Sequence, residues 1–97
     1  MYARVARWEG AAADALRRSS DEIKSRAASG PPDGVPASGF LLLVDPDDGR
    51  CLAVSLFADE DALRQGDATL NQMSPPGEGL GRRTSVETYE VAVDIRT

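Results

Sequence analysis

The chain has 97 residues, with 11 basic and 16 acidic side chains, a net charge of -5 and no histidine. One domain of this length buries roughly two thirds of its unfolded surface, and the acidic balance argues against nucleic acid and against an anionic membrane surface, both of which need a basic footprint. No apolar run could span a bilayer, the first residues lack a signal-peptide core, and the single cysteine, Cys51, excludes an intrachain disulfide and a cysteine metal cluster, so a reducing cytoplasm is the expected location.

Residues 2–8 read as a strand, with Ala3 and Val5 alternating against Tyr2, Arg4, Ala6 and Trp8, and Gly10 ends it. Residues 11–28 read as a helix with Ala13, Leu16, Ser20, Ile23 and Ala27 on one stripe. Ser19 and Glu22 have capping-box spacing, which leaves open a second short helix starting there. Residues 30–36, GPPDGVP, can be neither helix nor central strand and form a connecting loop.

Residues 39–57, GFLLLVDPDDGRCLAVSLF, form the centre of the chain. They read as strands at 40–44 and 51–57 joined by a tight turn. In that turn proline presets φ, the aspartates bond their own backbone and Gly49 takes φ > 0. Pairing Val44 with Cys51 sorts Leu41, Leu43, Leu52, Val54 and Leu56 onto one face. Phe40, Leu42, Val44, Cys51, Ala53, Ser55 and Phe57 share the other. Both faces are largely apolar, whereas an antiparallel hairpin usually shows water on one side. The hairpin is therefore expected to be covered twice, once by the chain's own helices and once by a partner subunit. The acidic turn departs from a calcium loop: glycine arrives one place early and Leu56 stands at the twelfth position.

A second helix follows, with Asp59 as N-cap and Glu60 and Asp61 in the first turn, where the dipole favours acids. Ala62, Leu63, Gly66, Leu70 and Met73 make its stripe, and residues 74–79, SPPGEG, stop it. Gly77, Gly79 and Gly81, ahead of Arg82 and Arg83, neither follow a strand nor open a helix, so they imply no anion cradle. Residues 84–95 read as the last strand, Tyr89, Val91, Val93 and Ile95 alternating with Thr88, Glu90, Ala92 and Asp94.

The order β-α-β-β-α-β predicts an α+β, ferredoxin-like domain: a four-stranded antiparallel sheet with both helices on one face. The face expected to be open carries Phe40, Leu42, Val44, Ala53, Phe57 and Trp8. Two such sheets packed face to face about a two-fold axis would cover it, giving a homodimeric α+β barrel.

The run from Gly39-Phe40 to Val44-Asp45, then Asp48-Gly49-Arg50, then Leu52-Ala53-Val54-Ser55-Leu56-Phe57 with Asp59-Glu60-Asp61-Ala62, resembles the antibiotic biosynthesis monooxygenase-like (ABM) family of dimeric α+β barrels. The opening Ala3-Arg4-Val5, with an aromatic residue and Gly10, is similar too. The resemblance covers nearly the whole chain in element order and rests on strand pattern and turn, not on a catalytic signature. It implies a homodimer binding a small aromatic ligand. It also implies, with no cofactor, a monooxygenase-like reaction on an aromatic or phenolic substrate. Other members degrade haem, isomerise substrates or have no assigned role. The family often carries tryptophan where this chain has Phe57. The haem-degrading branch needs a proximal histidine, which is missing here, and that argues against haem degradation.

The candidate ligand pocket comprises Arg4, Trp8, Leu42, Phe57, Glu90 and Asp94. The first and last strands are expected to be neighbours, so Arg4 shares a face with Thr88, Glu90, Ala92 and Asp94 inside the barrel. There it would orient a ligand while held by a carboxylate in an apolar cavity, or form a structural ion pair at the dimer interface. The lack of histidine removes the usual general base and the Ser-His and Cys-His nucleophile pairs, leaving the substrate's own acidity, or Glu90 or Asp94 as base. Trp8, Phe40, Phe57 and Tyr89 could line a pocket for a flat compound or be core. The alternative is a non-catalytic homodimer with an interior filled by Phe40, Leu42, Val44 and Phe57. Cys51 is expected to be buried and inert.

Overall fold

A computed structural model describes residues 1–73 and 79–97. The order is β1 (Tyr2–Glu9), α1 (Ala13–Ala27), β2 (Gly39–Asp45), β3 (Arg50–Phe57), α2 (Glu60–Gln72) and β4 (Arg82–Glu90). The strands form one sheet in the order β2-β3-β1-β4, with every pairing antiparallel. This is the predicted ferredoxin-like arrangement.

The hairpin forms in the predicted register, with Val44 opposite Cys51. Arg50 clasps its turn, donating from Nε to Asp45 at 3.0 Å. Gly49 adopts φ +65, and its carbonyl accepts from the Ala11 N–H at 3.1 Å. A side chain at this glycine would meet the Ala11 carbonyl. One residue thus turns the hairpin and ties it to the start of α1.

α2 begins as predicted: the Asp59 side chain accepts from the Ala62 N–H at 2.8 Å, leaving one fewer unpaired N–H in the first turn. α1 has Ala12 at the same position and no side-chain cap. It runs through Ser19 as one helix, which removes the second-helix alternative. Its buried residues are Leu16 and Ser19, not the longer predicted stripe; Ala13 and Ala27 are exposed. In α2, Leu63 and Gly66 are buried, whereas Met73, placed on the stripe by its spacing, is 46% exposed. The predicted stop after α2 falls mostly on residues 74–78, which lie outside the described residues, as does Gly77.

Two expectations are corrected. The last strand ends at Glu90, not at Ile95. Glu90 pairs with Tyr2 at the start of β1, and beyond it the Val91 N–H donates to the carbonyl of Met1, just before β1, at 2.9 Å. Val93 and Ile95, beyond the paired residues, are 72% and 82% exposed.

The two sheet faces are also exchanged relative to the prediction. The helices cover the face carrying Trp8, Leu42, Cys51, Ser55 and Phe57; Phe57 is fully buried and Cys51 is 3% exposed. The uncovered face carries Leu41 and Leu43, 53% and 50% exposed, with Tyr89 at 52%. Helices bring their own large side chains. Beneath them the central strands carry small residues at Ala6, Ala53 and Ser55 between large ones at Trp8 and Phe57.

Candidate functional site

The helix side of the sheet holds two separate apolar clusters. Under α1, Leu16, Cys51 and Leu80 pack with Trp8, Ile23 and Leu42. Under α2, Val35, Phe57 and Leu63 pack with Tyr2 and Leu70. No residue of α1 comes within 8 Å of α2, Cα to Cα. Between the clusters the sheet presents small or polar residues: Ala6 and Arg4 on β1, facing Ala53 and Ser55 on β3. The helices thus flank a seam. The same two rows continue into Phe40 and Leu42 on β2 and into Thr88 and Val86 on β4, so the small and polar floor between the helices is confined to the two central strands.

Arg4 is the charged residue of that floor and is only 4% exposed. Its Nε donates to Asp67 Oδ1 at 2.7 Å and its Nη2 donates to Asn71 Oδ1 at 2.9 Å. The same amide oxygen accepts from Arg83 Nη1 at 3.0 Å. Asp67 and Asn71 stand one helical turn apart on α2, and Arg83 lies on β4 opposite Trp8. A guanidinium can be buried here because a carboxylate and an amide meet its donors, and a partly desolvated pair interacts more strongly than one in water.

The sequence-derived candidates divide accordingly. Arg4 and Trp8 border the seam, one beside each apolar cluster. Leu42 packs against the α1 cluster, and Phe57 is core. Phe57 fills the space above Gly66 so closely that a Cβ there would overlap its ring. Glu90 is exposed at the end of β4, and Asp94 lies beyond the last strand, paired with Arg96 Nε at 3.1 Å. Neither is the partner of Arg4, and the Arg4 face is turned to the helices, not to a barrel interior. Sequence reasoning missed Asp67 and Arg83 as members of this group and left Asn71 without a role. The available signal was the four-residue spacing of Asp67 and Asn71 beside the Leu63, Gly66 and Leu70 stripe.

Cys51 is buried, and burial pushes its thiol above the usual range, which keeps it protonated. On the uncovered face, Tyr89 donates to the Glu87 carboxylate; this bond raises the phenol above its ordinary value, with minor help from desolvation. Two open concavities flank that face. One of about 300 Å³ lies beside Arg7, Leu43 and Leu52, and one of about 510 Å³ beside Leu41, Leu56 and Val93. Among the described residues no helix is long and apolar enough to cross a membrane.

The architecture has close parallels. The haem-degrader MhuD from Mycobacterium tuberculosis, with two haems bound in its active site, superposes with a TM-score of 0.66 at 17% identity, covering 99% of this chain and 100% of that one. At this identity what the two chains share is the fold, the ferredoxin-like β-α-β-β-α-β arrangement. A single-residue variant of MhuD, with two manganese protoporphyrin IX molecules per active site, gives a TM-score of 0.57 at 16% identity, covering 99% of this chain and 98% of that one. No protein-family profile and no curated relative match the chain. The likeness spans every element from β1 to β4 and is one of fold.

Proposed function

We propose that this ABM-like chain is a small-molecule-binding, monooxygenase-like protein that works as a homodimer and takes a flat aromatic or phenolic ligand into the seam between α1 and α2. The carrying observation is the seam itself. Two helices with no Cα atoms within 8 Å of each other stand on separate apolar clusters, with a buried, pre-oriented arginine between them. Convergent polar groups beside apolar walls are the usual construction of a ligand site. The two similar structures, each holding flat tetrapyrroles in an active site, support the ligand's shape. They do not carry over the haem chemistry: this chain has no histidine to offer an iron. Its Arg4 and Asn71 would hold and orient a substrate whose own acidity supplies the reactive anion. Ala6 is 2% exposed, so a ring entering the seam requires the side chains that cover it to shift.

The uncovered face supports the homodimer. Leu41, Leu43, Leu52, Val54 and Leu56 stand there with Arg7 and Glu87, one cation and one anion close together on adjacent strands. A two-fold axis through such a face brings apolar surface onto apolar surface and can set Arg7 against Glu87 of the partner subunit. The single buried cysteine suits a reducing compartment such as the cytoplasm.

A second reading is a non-catalytic homodimeric accessory protein. The full burial of Phe57 favours it, because a pocket wall has become core. The deciding experiment titrates the protein with protoporphyrin IX and a panel of anthrones, following emission of Trp8, the only tryptophan, and oxygen uptake. Saturable quenching with oxygen consumption is expected for a phenolic panel member. Quenching without uptake leaves a binder. Flat emission across the whole panel would sink the seam as a ligand site and leave the accessory reading.

A further inference from the structure

Arg83 is exposed on β4, yet it is held against α2 by Asn71 and lies directly opposite Trp8 in the sheet ladder. Arg4 donates to the same Asn71 oxygen from below. Two guanidiniums therefore converge on one amide oxygen, and the carboxylate within their reach among the described residues is Asp67, which pairs with Arg4. The group of Arg4, Arg83 and Asp67 carries one net positive charge, at the edge of a seam whose other wall includes an indole. The Asn71 amide fixes the Arg83 fork and spends one of its five N–H donors, leaving the others for a ligand.

We propose that Arg83, backed by Asn71 and Arg4, receives a single negative charge on the ligand: a carboxylate or a ring-conjugated oxyanion on a flat aromatic that lies against Trp8. This rests on the seam being the ligand site and adds the ligand's charge and orientation to that reading. A planar guanidinium pairs with a carboxylate through two parallel N–H···O bonds, and the indole face accepts the ring. The anion would sit at the β4 end of the seam and the ring would point inward over Ala6.

The test compares 2-naphthoate with 2-naphthamide, the same ring with and without the charge, by Trp8 quenching at low salt. The acid is expected to bind roughly tenfold more tightly, the scale of one hydrogen-bonded charge. The gap should close in Arg83→Gln with the amide's affinity unchanged, and should partly survive in Arg83→Lys, which keeps charge but loses the fork. Asn71→Ala, which frees Arg83 from its support, should narrow the gap too. Equal binding of acid and amide to the wild-type chain would overturn the charge site while leaving the seam intact. A preference that persists in Arg83→Gln would overturn the role of Arg83. Failure of both compounds to bind would remove the seam reading itself, and this inference with it.

Discussion

Arg4 illustrates what one residue position can and cannot announce. That it shares a sheet face with Thr88 follows from strand alternation alone; that this face is the helix side, with Thr88 directly opposite, does not. Its partners do not, because they lie 63 and 67 positions away on α2. Helix periodicity marks Asp67 and Asn71 only as neighbours of a buried stripe. The carboxylates that share Arg4's sheet face in sequence, Glu90 and Asp94, lie too far towards the end of the ladder. With its side chain 5% exposed against 36% for Asp67, Arg4 depends on that carboxylate more than the reverse. Asp67→Ala leaves a buried cation without its counter-ion and should cost about 3 kcal/mol. Asp67→Asn, which keeps an acceptor, should cost less. Urea denaturation of the two variants checks the order.

At the scale of elements, boundaries and caps were largely legible. The turn at Gly49, the cap at Asp59 and the strand register all have local chemical causes. What was not legible was which face of the hairpin the helices choose. Five large aliphatic residues on one face look like a core, and the mixed face with Ala53, Ser55 and Cys51 looks less so. The helices select the mixed face because Leu16, Ile23, Leu63 and Leu70 supply the bulk from above, and close packing cannot take large residues from both sides. Gly66 shows the same constraint from the helix. Exchanging it for alanine gains about 1 kcal/mol of helix propensity, but the added methyl would overlap the Phe57 ring, and overpacking costs about 1–3 kcal/mol. Gly66→Ala should therefore lower stability by about 1 kcal/mol in thermal or urea melts, against the propensity scale. A stabilised variant would mean that Phe57 has room to turn.

For the whole molecule, the exposed leucine face is the feature a lone chain explains least well. Apolar area of this kind on one sheet face marks an interaction surface, and the proposed twin subunit accounts for it. Leu43→Asp places a charge at the middle of β2 on that face without touching either core cluster. It should convert a dimer into a monomer in native mass spectrometry with the far-ultraviolet spectrum preserved. A wild-type chain that is already monomeric at tens of micromolar would count against the homodimer. The architecture was readable because hairpin, caps and crossover handedness are local or topological rules, whereas the partner surface depends on a chain outside the one folded. The separation of the helices has a further consequence, for how the fold breathes. α1 and α2 rest on different clusters, and among the described residues α1 lacks both a side-chain cap and a link such as the Arg4–Asp67 pair that pins α2. The native state should therefore open in two steps, not one. Amide hydrogens of α1 are expected to exchange through a low-energy, partial opening, while those of α2 and the central strands wait for global unfolding. That partial opening would double as the route by which a ring-sized molecule reaches the sheet.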